Sequence, residues 1–495
     1  LEVDIFADLQ TSANPERNEE MPLDFEYIFR RQHPRYRANR EIWEKSRAAF
    51  SGGAAYIRQA LVKHVSEVDL EFGERLHRGY YFNYPRKIAR LITQHVLAVE
   101  PQREGADPEA VEDFSRDGLR VNEVMRQFST LLNVYGGAAL VVEMPFFEGE
   151  VDPDRKSKEK LRPGVRAVSP LEIIDWAHGA DGRLDWLLIE EADRLDGGPF
   201  LPAVPVKRRK LWTRKEYWIF EKDSVTGLPA LLARGEHGLD RVPAVYVVEP
   251  EAQALNANHY FEDVVRISDA ILNNESEAQM NIVKQMFGLL VISDSFARGA
   301  RRHDAPGGAA GGDLRFSHVL ARSAAIWETP EEKGVSRYIS PSGADSEMIH
   351  RTNLMLRKEL FDLVGMALQP ELRQAQTAES KSWDHHNLRQ FLAGRVDLLE
   401  QAELRAWELM HGFDPTIPVP KLVYNRDFSV VDLRHSIASL LELKQLADGA
   451  EYRRELAGTA LFLLEKIRKI TPERKRAILR EMEAPAAAKP EHADV

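Results

Sequence analysis

The sequence predicts an α+β fold, and three observations carry that expectation. Two long segments place apolar residues at the three-to-four spacing of a helix face. Between residues 138 and 248, short apolar runs separated by Gly, Pro and Asp read as strands. A glycine-rich, helix-poor stretch then splits the two long segments, so that residues 258–366 read as a pair of rods around a small insert.

In chain order, residues 1–29 are polar and acidic and read as a loose arm. His33 to Val99 has a helical pattern with Ile42, Trp43 and Phe50 inward. Pro85 can then open a helix carrying Ile88, Leu91, Ile92 and Leu97. Residues 118–132 form another helix, with Val121, Val124, Met125, Phe128, Leu131 and Leu132 inward. The runs at Ala138–Val142, Leu187–Ile189, Glu216–Phe220 and Val245–Val248 are strand candidates, which makes residues 33–255 one mixed unit.

The first long segment runs from Asn258 to about Met286, with Phe261, Val264, Val265, Ile271, Leu272, Ala278 and Ile282 on one face. At about 1.5 Å per residue it would reach roughly 43 Å. The second runs from about Ala344 to Met366, with Met348, Met355, Leu356, Leu360, Leu363 and Met366 inward. Strand candidates at Leu289–Ile292 and Ala324–Trp327 lie in the insert. After a polar stretch, Gln369 to Ser382, comes a helix with Leu388, Phe391, Leu392, Leu398, Leu399, Ala402 and Leu409 inward, ending near Gly412. Ser429 to Asp432 has capping-box-like spacing at the start of a helical segment that runs to Met482, and the Ala/Pro-rich tail 483–495 reads as disordered.

Composition narrows the function. The 495 residues are 43% hydrophobic and 29% charged, enough for a sizeable core. No stretch approaches the roughly 20 apolar residues of a membrane span, and no basic-then-apolar signal opens the chain. Zero cysteines exclude disulfides, thiolate catalysis and cysteine-ligated zinc, in keeping with assembly in a reducing cytoplasm. With 67 Lys+Arg against 78 Asp+Glu the net charge is −11, unsuited to tight nucleic-acid binding but compatible with letting DNA slide past.

Catalytic motifs are sparse. The sequence has no phosphate-cradling G-x-x-x-x-G-K-[ST] loop and no H-E-x-x-H. Glycines 307, 308, 311 and 312 have no Lys-Ser/Thr after them and read as a surface loop. Asp384, His385 and His386 form the one cluster that could centre a nucleic-acid-processing hydrolase. Adjacent helical residues point about 100° apart, however, which favours a solvated pair and no metal site. Arg298, Arg301 and Arg302, with His303, make a basic loop run that is either solvated or a docking patch. Gln369, Arg373, Gln374, Gln376 and Lys381 make a polar, acid-poor connector.

Several local stretches carry a family likeness. His33-Pro34-Arg35-Tyr36 with Ile42-Trp43-Glu44 is one, and Tyr84-Pro85 with its following helix is another. Tyr135-Gly136-Gly137 running on to Pro145, and Arg162-Pro163 with Pro170 to Trp176, complete the set. In these, and above all in the order of its parts, the chain resembles tailed-bacteriophage portal proteins, the ring at one capsid vertex through which DNA is packaged and ejected.

The resemblance implies a portal fold: a mixed α/β wing (30–257), a two-helix stem (258–286 and 342–366) and a small α/β clip (287–341). A tunnel loop (367–382), a long wing helix with its return (383–428) and a helical crown (429–482) follow. It implies a dodecameric ring with no cofactor and no catalytic site, placed in the virion after assembly in the host cytoplasm. Its partners would be double-stranded DNA read without sequence preference, the large terminase, the tail adaptor, and the major capsid and scaffolding proteins. Arg298, Arg301 and Arg302 would then dock terminase or adaptor. Gln369, Arg373, Gln374, Gln376 and Lys381 would face DNA. Twelve helices about 10 Å across would enclose a bore of roughly 28 Å, wide enough for duplex DNA. The stem acids Glu262, Asp263, Asp269, Glu275 and Glu277, against only Arg266 and Lys284 in that segment, would repel phosphate if they faced the lumen.

Overall fold

A computed structural model describes residues 25–145, 161–195, 204–222, 227–249, 259–286, 289–293, 326–329, 337–339, 343–364 and 378–426, with isolated stretches between 428 and 478. The chain divides into two units, Leu1–Arg426 and Asp427–Val495. In the second, residues 455–461 are helical and Leu461 is buried. The capping-box residues Ser429 to Asp432 lie outside the described residues.

The first unit is α+β. The expected loose arm already forms helix α1 (Phe25–Arg30), where Phe25 meets Phe220 and Phe29 lies under the Arg209 guanidinium. Helix α2 (Pro34–Ser51) starts where its geometry demands: Pro34 occupies the first turn and the His33 ring accepts from the Arg35 N–H at 3.1 Å. Helices α3 (Gly53–Ala60) and α4 (Asp69–Arg78) follow. Asn83, held in the left-handed region at φ 47°, caps α5 (Tyr84–Val96) by accepting from the Arg86 N–H at 3.0 Å. Ile88 and Ile92 of α5 are fully buried, as the spacing after Pro85 requires.

After the short α6 (Pro108–Glu112), helix α7 (Val121–Tyr135) buries Val121, Val124, Met125, Phe128 and Leu132. Gly136 ends it at φ 72°, a left-handed C-cap that glycine adopts without steric cost, and Gly137 starts strand β2 (Gly137–Glu143). This turn joins helix to sheet with no linker. Strand β2 pairs antiparallel with β3 (Gly164–Val168) on one side and β9 (Ala244–Val248) on the other. Its residues Ala138 to Val142 are all buried, which explains why the run is continuously apolar and does not alternate.

A second sheet is an antiparallel meander of β4 (Ile173–His178), β5 (Leu184–Leu195), β6 (Val204–Thr213), β7 (Glu216–Lys222) and β8 (Pro229–Glu236). The two sheets share a core in which Ala139, Val141 and Val168 meet Ile173, Leu187, Ile189 and Trp212. Of this meander only parts of β5 and β7 were expected from the sequence. Strand β6 escapes a periodicity search because Lys207, Arg208, Arg209 and Lys210 are consecutive. In the fold they pair with Glu190, Glu191, Glu221 and Glu143.

Two long helices and a longer third complete the unit: α8 (Tyr260–Met286), α9 (Gly343–Asp362) and α10 (Ala378–Phe413). Between α8 and α9 lies a small mixed sheet in which β10 (Leu289–Ser293) pairs parallel with β11 (Ile326–Thr329) and antiparallel with β12 (Arg337–Ile339). Strand β1 (Gln102–Glu104) pairs with β13 (Lys421–Val423), tying the chain after α10 back to its first third.

Candidate functional site

Helix α8, about 40 Å long, is anchored at its first half. Phe261 and Val265 enter a cluster with Ala49, Tyr56, Ala89 and Tyr135, and Val264, Ile271 and Leu272 are also buried. Six of the seven apolar residues expected on its inner face are buried. The seventh, Ile282, is 48% exposed, because it lies near the C-terminal end of the helix, past Ser276, where Arg75 of α4 still makes contact.

Helices α8 and α9 run antiparallel, and the contact between them is polar. The Asn274 Nδ2 donates to the Asn353 Oδ1 at 2.9 Å, Asn353 Nδ2 donates to the Glu275 carboxylate at 2.8 Å, and Asn281 donates to Ser346 at 3.2 Å. Stepping seven residues forward from Asn274 to Asn281 matches seven back from Asn353 to Ser346, two turns on each helix. Asn353 is almost wholly buried, so its amide is available only to these partners.

This polar seam overturns the inner face expected for the second helix. Leu360 is buried as expected, together with Phe361 and Val364. Met348, Met355 and Leu363, however, are 65%, 70% and 44% exposed. Met348 and Met355 sit two turns apart on the side of α9 away from the seam, and Leu363 follows just past its last residue. Among the described residues nothing covers the two methionine side chains. Single exposed apolar residues are ordinary, whereas Met348 and Met355 stand on one face of the same helix.

The five acids of α8 do not act as one stripe. Asp269 accepts from the Tyr56 hydroxyl and pairs with Lys45 at 2.9 Å. Glu275 accepts from Asn353, and Glu262 pairs with Arg266 at 2.6 Å on the same helix. Asp263 is half-buried and Glu277 is exposed. The partners of Asp269 and Glu275 come from α2, α3 and α9, which the sequence does not bring together.

The expected connector is shorter than its sequence indicates. Helix α10 begins at Ala378, so Lys381 stands in the helix and not in a loop ending at 382. Asp384, His385 and His386 are within the same helix, where consecutive residues diverge. The side chains of all four lie outside the described residues, as do Gln369, Arg373, Gln374 and Gln376 and the basic run Arg298, Arg301 and Arg302. Among the described residues no group of three or more His, Asp or Glu could hold a metal ion, and no helix is long and apolar enough to cross a membrane.

Two buried charge clusters fix α10. Glu249, at the end of β9, receives Arg395 of α10 and the His259 Nε2, the latter at 3.1 Å, just before α8 begins. The Arg395 guanidinium also lies over the rings of Tyr260 and Phe391. Burial pulls Arg395 down to about 9, so it is still charged at neutral pH and needs the Glu249 carboxylate. Further along α10, Glu403 is fully buried and takes bonds from Arg103 at 2.6 Å, Trp407 at 3.1 Å and the Tyr424 hydroxyl. Burial beside this carboxylate pushes the Tyr424 phenol well above its ordinary range. Neither cluster is visible in the sequence, because the partners stand up to 300 residues apart.

No family model matches the chain, and no curated protein matches it. Among solved structures it is similar to a chain of the neck of a native gene transfer agent particle computed with C12 symmetry, at a TM-score of 0.41 and 11% identity, over 80% of this chain and 95% of that one. A chain from the neck of an empty particle computed with C6 symmetry gives 0.41 and 12%, covering 79% and 94%. One from the native virion of such a particle gives 0.41 and 12%, covering 83% and 98%. Likeness at this level fixes neither the fold nor the function, which rest on the residues of this chain.

Proposed function

We propose that the chain is the subunit of a phage-type portal ring: a DNA conduit at one capsid vertex, without a catalytic site of its own. The observation that carries this reading is the α8–α9 hairpin. It is closed internally by polar pairs, interrupted by a small sheet, and leaves Met348 and Met355 outward with no cover among the described residues. A rod whose apolar stripe faces away from its own core is what a subunit needs when its neighbours complete the packing. The order of parts in the sequence agrees with this, as does a net charge that disfavours tight adhesion to DNA.

In this reading α8 and α9 are the stem, the β10–β12 sheet belongs to the clip, and α10 is the long wing helix behind the tunnel loop. The ring is a dodecamer in the virion, assembled in the host cytoplasm with major capsid and scaffolding proteins. Terminase supplies the ATP hydrolysis and docks, like the tail adaptor, on the clip beside Arg298, Arg301 and Arg302. Gln369, Arg373, Gln374 and Gln376, with Lys381 at the start of α10, offer a few phosphate donors and too few cations to hold DNA fast. Packaging into reconstituted heads tests the conduit. The double variant Arg373→Glu, Lys381→Glu should assemble normally and protect less DNA from nuclease, whereas full protection at the wild-type rate removes this segment from the DNA path.

A further inference from the structure

Helix α8 holds different neighbours on opposite faces. Asn274, Glu275 and Asn281 bond to α9. Asp269 accepts from Tyr56 of α3, Asn273 takes the chain just after α3, and Ser276 accepts from the Arg75 guanidinium of α4 at 3.1 Å. At about 100° per residue the first three centre on one direction and the last three on another, about 160° away. Helix α9 and the α3–α4 segment therefore flank α8 on opposite sides.

The loop from α3 to α4, residues 61–68, is clamped to its flank. The Asn273 side chain accepts from the Val62 N–H at 2.8 Å and donates to the Ala60 carbonyl at 3.1 Å, while Arg75 ties Glu67 to the same helix at 2.8 Å. What the clamped loop and the first turn of α4 present outward is apolar. Val62, Val68 and Leu70 are each more than half exposed and Val65 is fully exposed, and among the described residues nothing covers them. A loop already ordered in this way gives up little entropy on docking.

The other flank bears Met348 and Met355, about 160° around α9 from Ser346 and Asn353. The two patches stand at one height. Because Asn274 faces Asn353 and Asn281 faces Ser346, the methionines are level with the turns of α8 from Leu272 to Gln279, a span of about 10 Å. The loop's anchors, Asn273 and Ser276, fall inside that span. A ring carries each subunit onto the next by rotation with no shift along the axis, so its contact joins two unlike surfaces at equal height on opposite flanks. A twofold pair would set one surface against itself.

We propose that Met348 and Met355 of one subunit pack against Val62, Val65, Val68 and Leu70 of the next, the unbranched thioethers filling the gaps between branched side chains. This contact rests on the ring reading above, with the hairpin lying along the ring axis, and it commits the outer face of α9 to a second copy of this chain.

The chain has no cysteine, so introduced thiols report the contact without background. The full chain carrying Val65→Cys with Met355→Cys, treated with a short bis-maleimide, should give a ladder of multiples of 56.3 kDa on a denaturing gel, and each single variant should stay monomeric. Light scattering of the untreated protein runs beside it. A ring that gives no ladder overturns the contact alone, whereas a wild-type chain that forms no ring overturns the ring reading and the contact with it. A dimer from Met355→Cys by itself overturns the contact in favour of α9 meeting its own copy, and an internally bridged monomer overturns it by placing both patches on one flank. Should the cysteines themselves weaken the ring, Val65→Lys with Met355→Glu takes their place. Each alone should lower the ring mass and the pair should restore it, and a pair no better than either single variant overturns the contact.

Discussion

Asn353 of α9 donates to the Glu275 carboxylate of α8 at 2.8 Å while accepting from Asn274 at 2.9 Å, so one buried amide joins two helices through both of its ends. Replacing it with leucine leaves a carboxylate and an amide facing an apolar group in the seam. Asn353→Leu should lose about 1–3 kcal/mol, the desolvation cost of unmet polar groups. Urea unfolding followed by circular dichroism checks this, and an unchanged midpoint would mean that the hairpin is not held by its polar pairs.

The outward stripe separates folding from assembly. Met348→Lys with Met355→Lys changes two residues that are 65% and 70% exposed in the chain, so the folded subunit should lose no more than about 0.5 kcal/mol. Assembly should fail or weaken sharply, since two ammonium groups would have to be desolvated at each subunit contact. By contrast Val265→Asp with Leu360→Asp buries charge at positions 2% and 0% exposed and should unfold the subunit itself. Sedimentation velocity beside thermal unfolding distinguishes the two outcomes.

Glu249 and Arg395 form a buried pair that locks α10 to the root of α8. Glu249→Leu leaves the Arg395 guanidinium uncompensated and should cost about 3–5 kcal/mol. Adding Arg395→Met should recover most of that, because two apolar side chains of similar volume need no pairing. A double variant as unstable as Glu249→Leu alone would show that the cost comes from lost packing.

Alkaline pH gives a further check. Tyr135 and Tyr246 ordinarily ionise near 10, and burial holds both protonated up to about 12 in the folded chain. Between these values the unfolded chain has released protons that the native one retains, so stability is full below pH 10 and falls as pH rises toward 12. The slope near pH 11 should be reduced by about 2 kcal/mol per pH unit, roughly 1 for each phenol, in the Tyr135→Phe, Tyr246→Phe double variant. Urea midpoints from pH 9 to 12 measure it, and parallel profiles for variant and wild type would contradict the burial of these phenols.

The elements most legible in the sequence were those whose neighbours are local. The spacing of Phe261 to Ala278 located α8, and the continuous run Ala138 to Val142 located a strand buried on both faces. Pro85 marked a helix start. Strand β6 was hidden by its four consecutive cations, whose glutamate partners come from other strands. The facing of α9 was also hidden. An apolar stripe that meets a second molecule has the same spacing as one that meets its own core, so Met348 and Met355 read as inward. Asn353, the residue that sets the seam, carries no periodic signal.

The central claim is that the chain builds a closed ring, and mass by multi-angle light scattering at several concentrations tests it most directly. The subunit is 56.3 kDa. The account predicts one concentration-independent species near about twelve times that mass, with a central opening in negatively stained particles viewed down the axis. A monomer or dimer at every concentration, with no ring in the images, would contradict it.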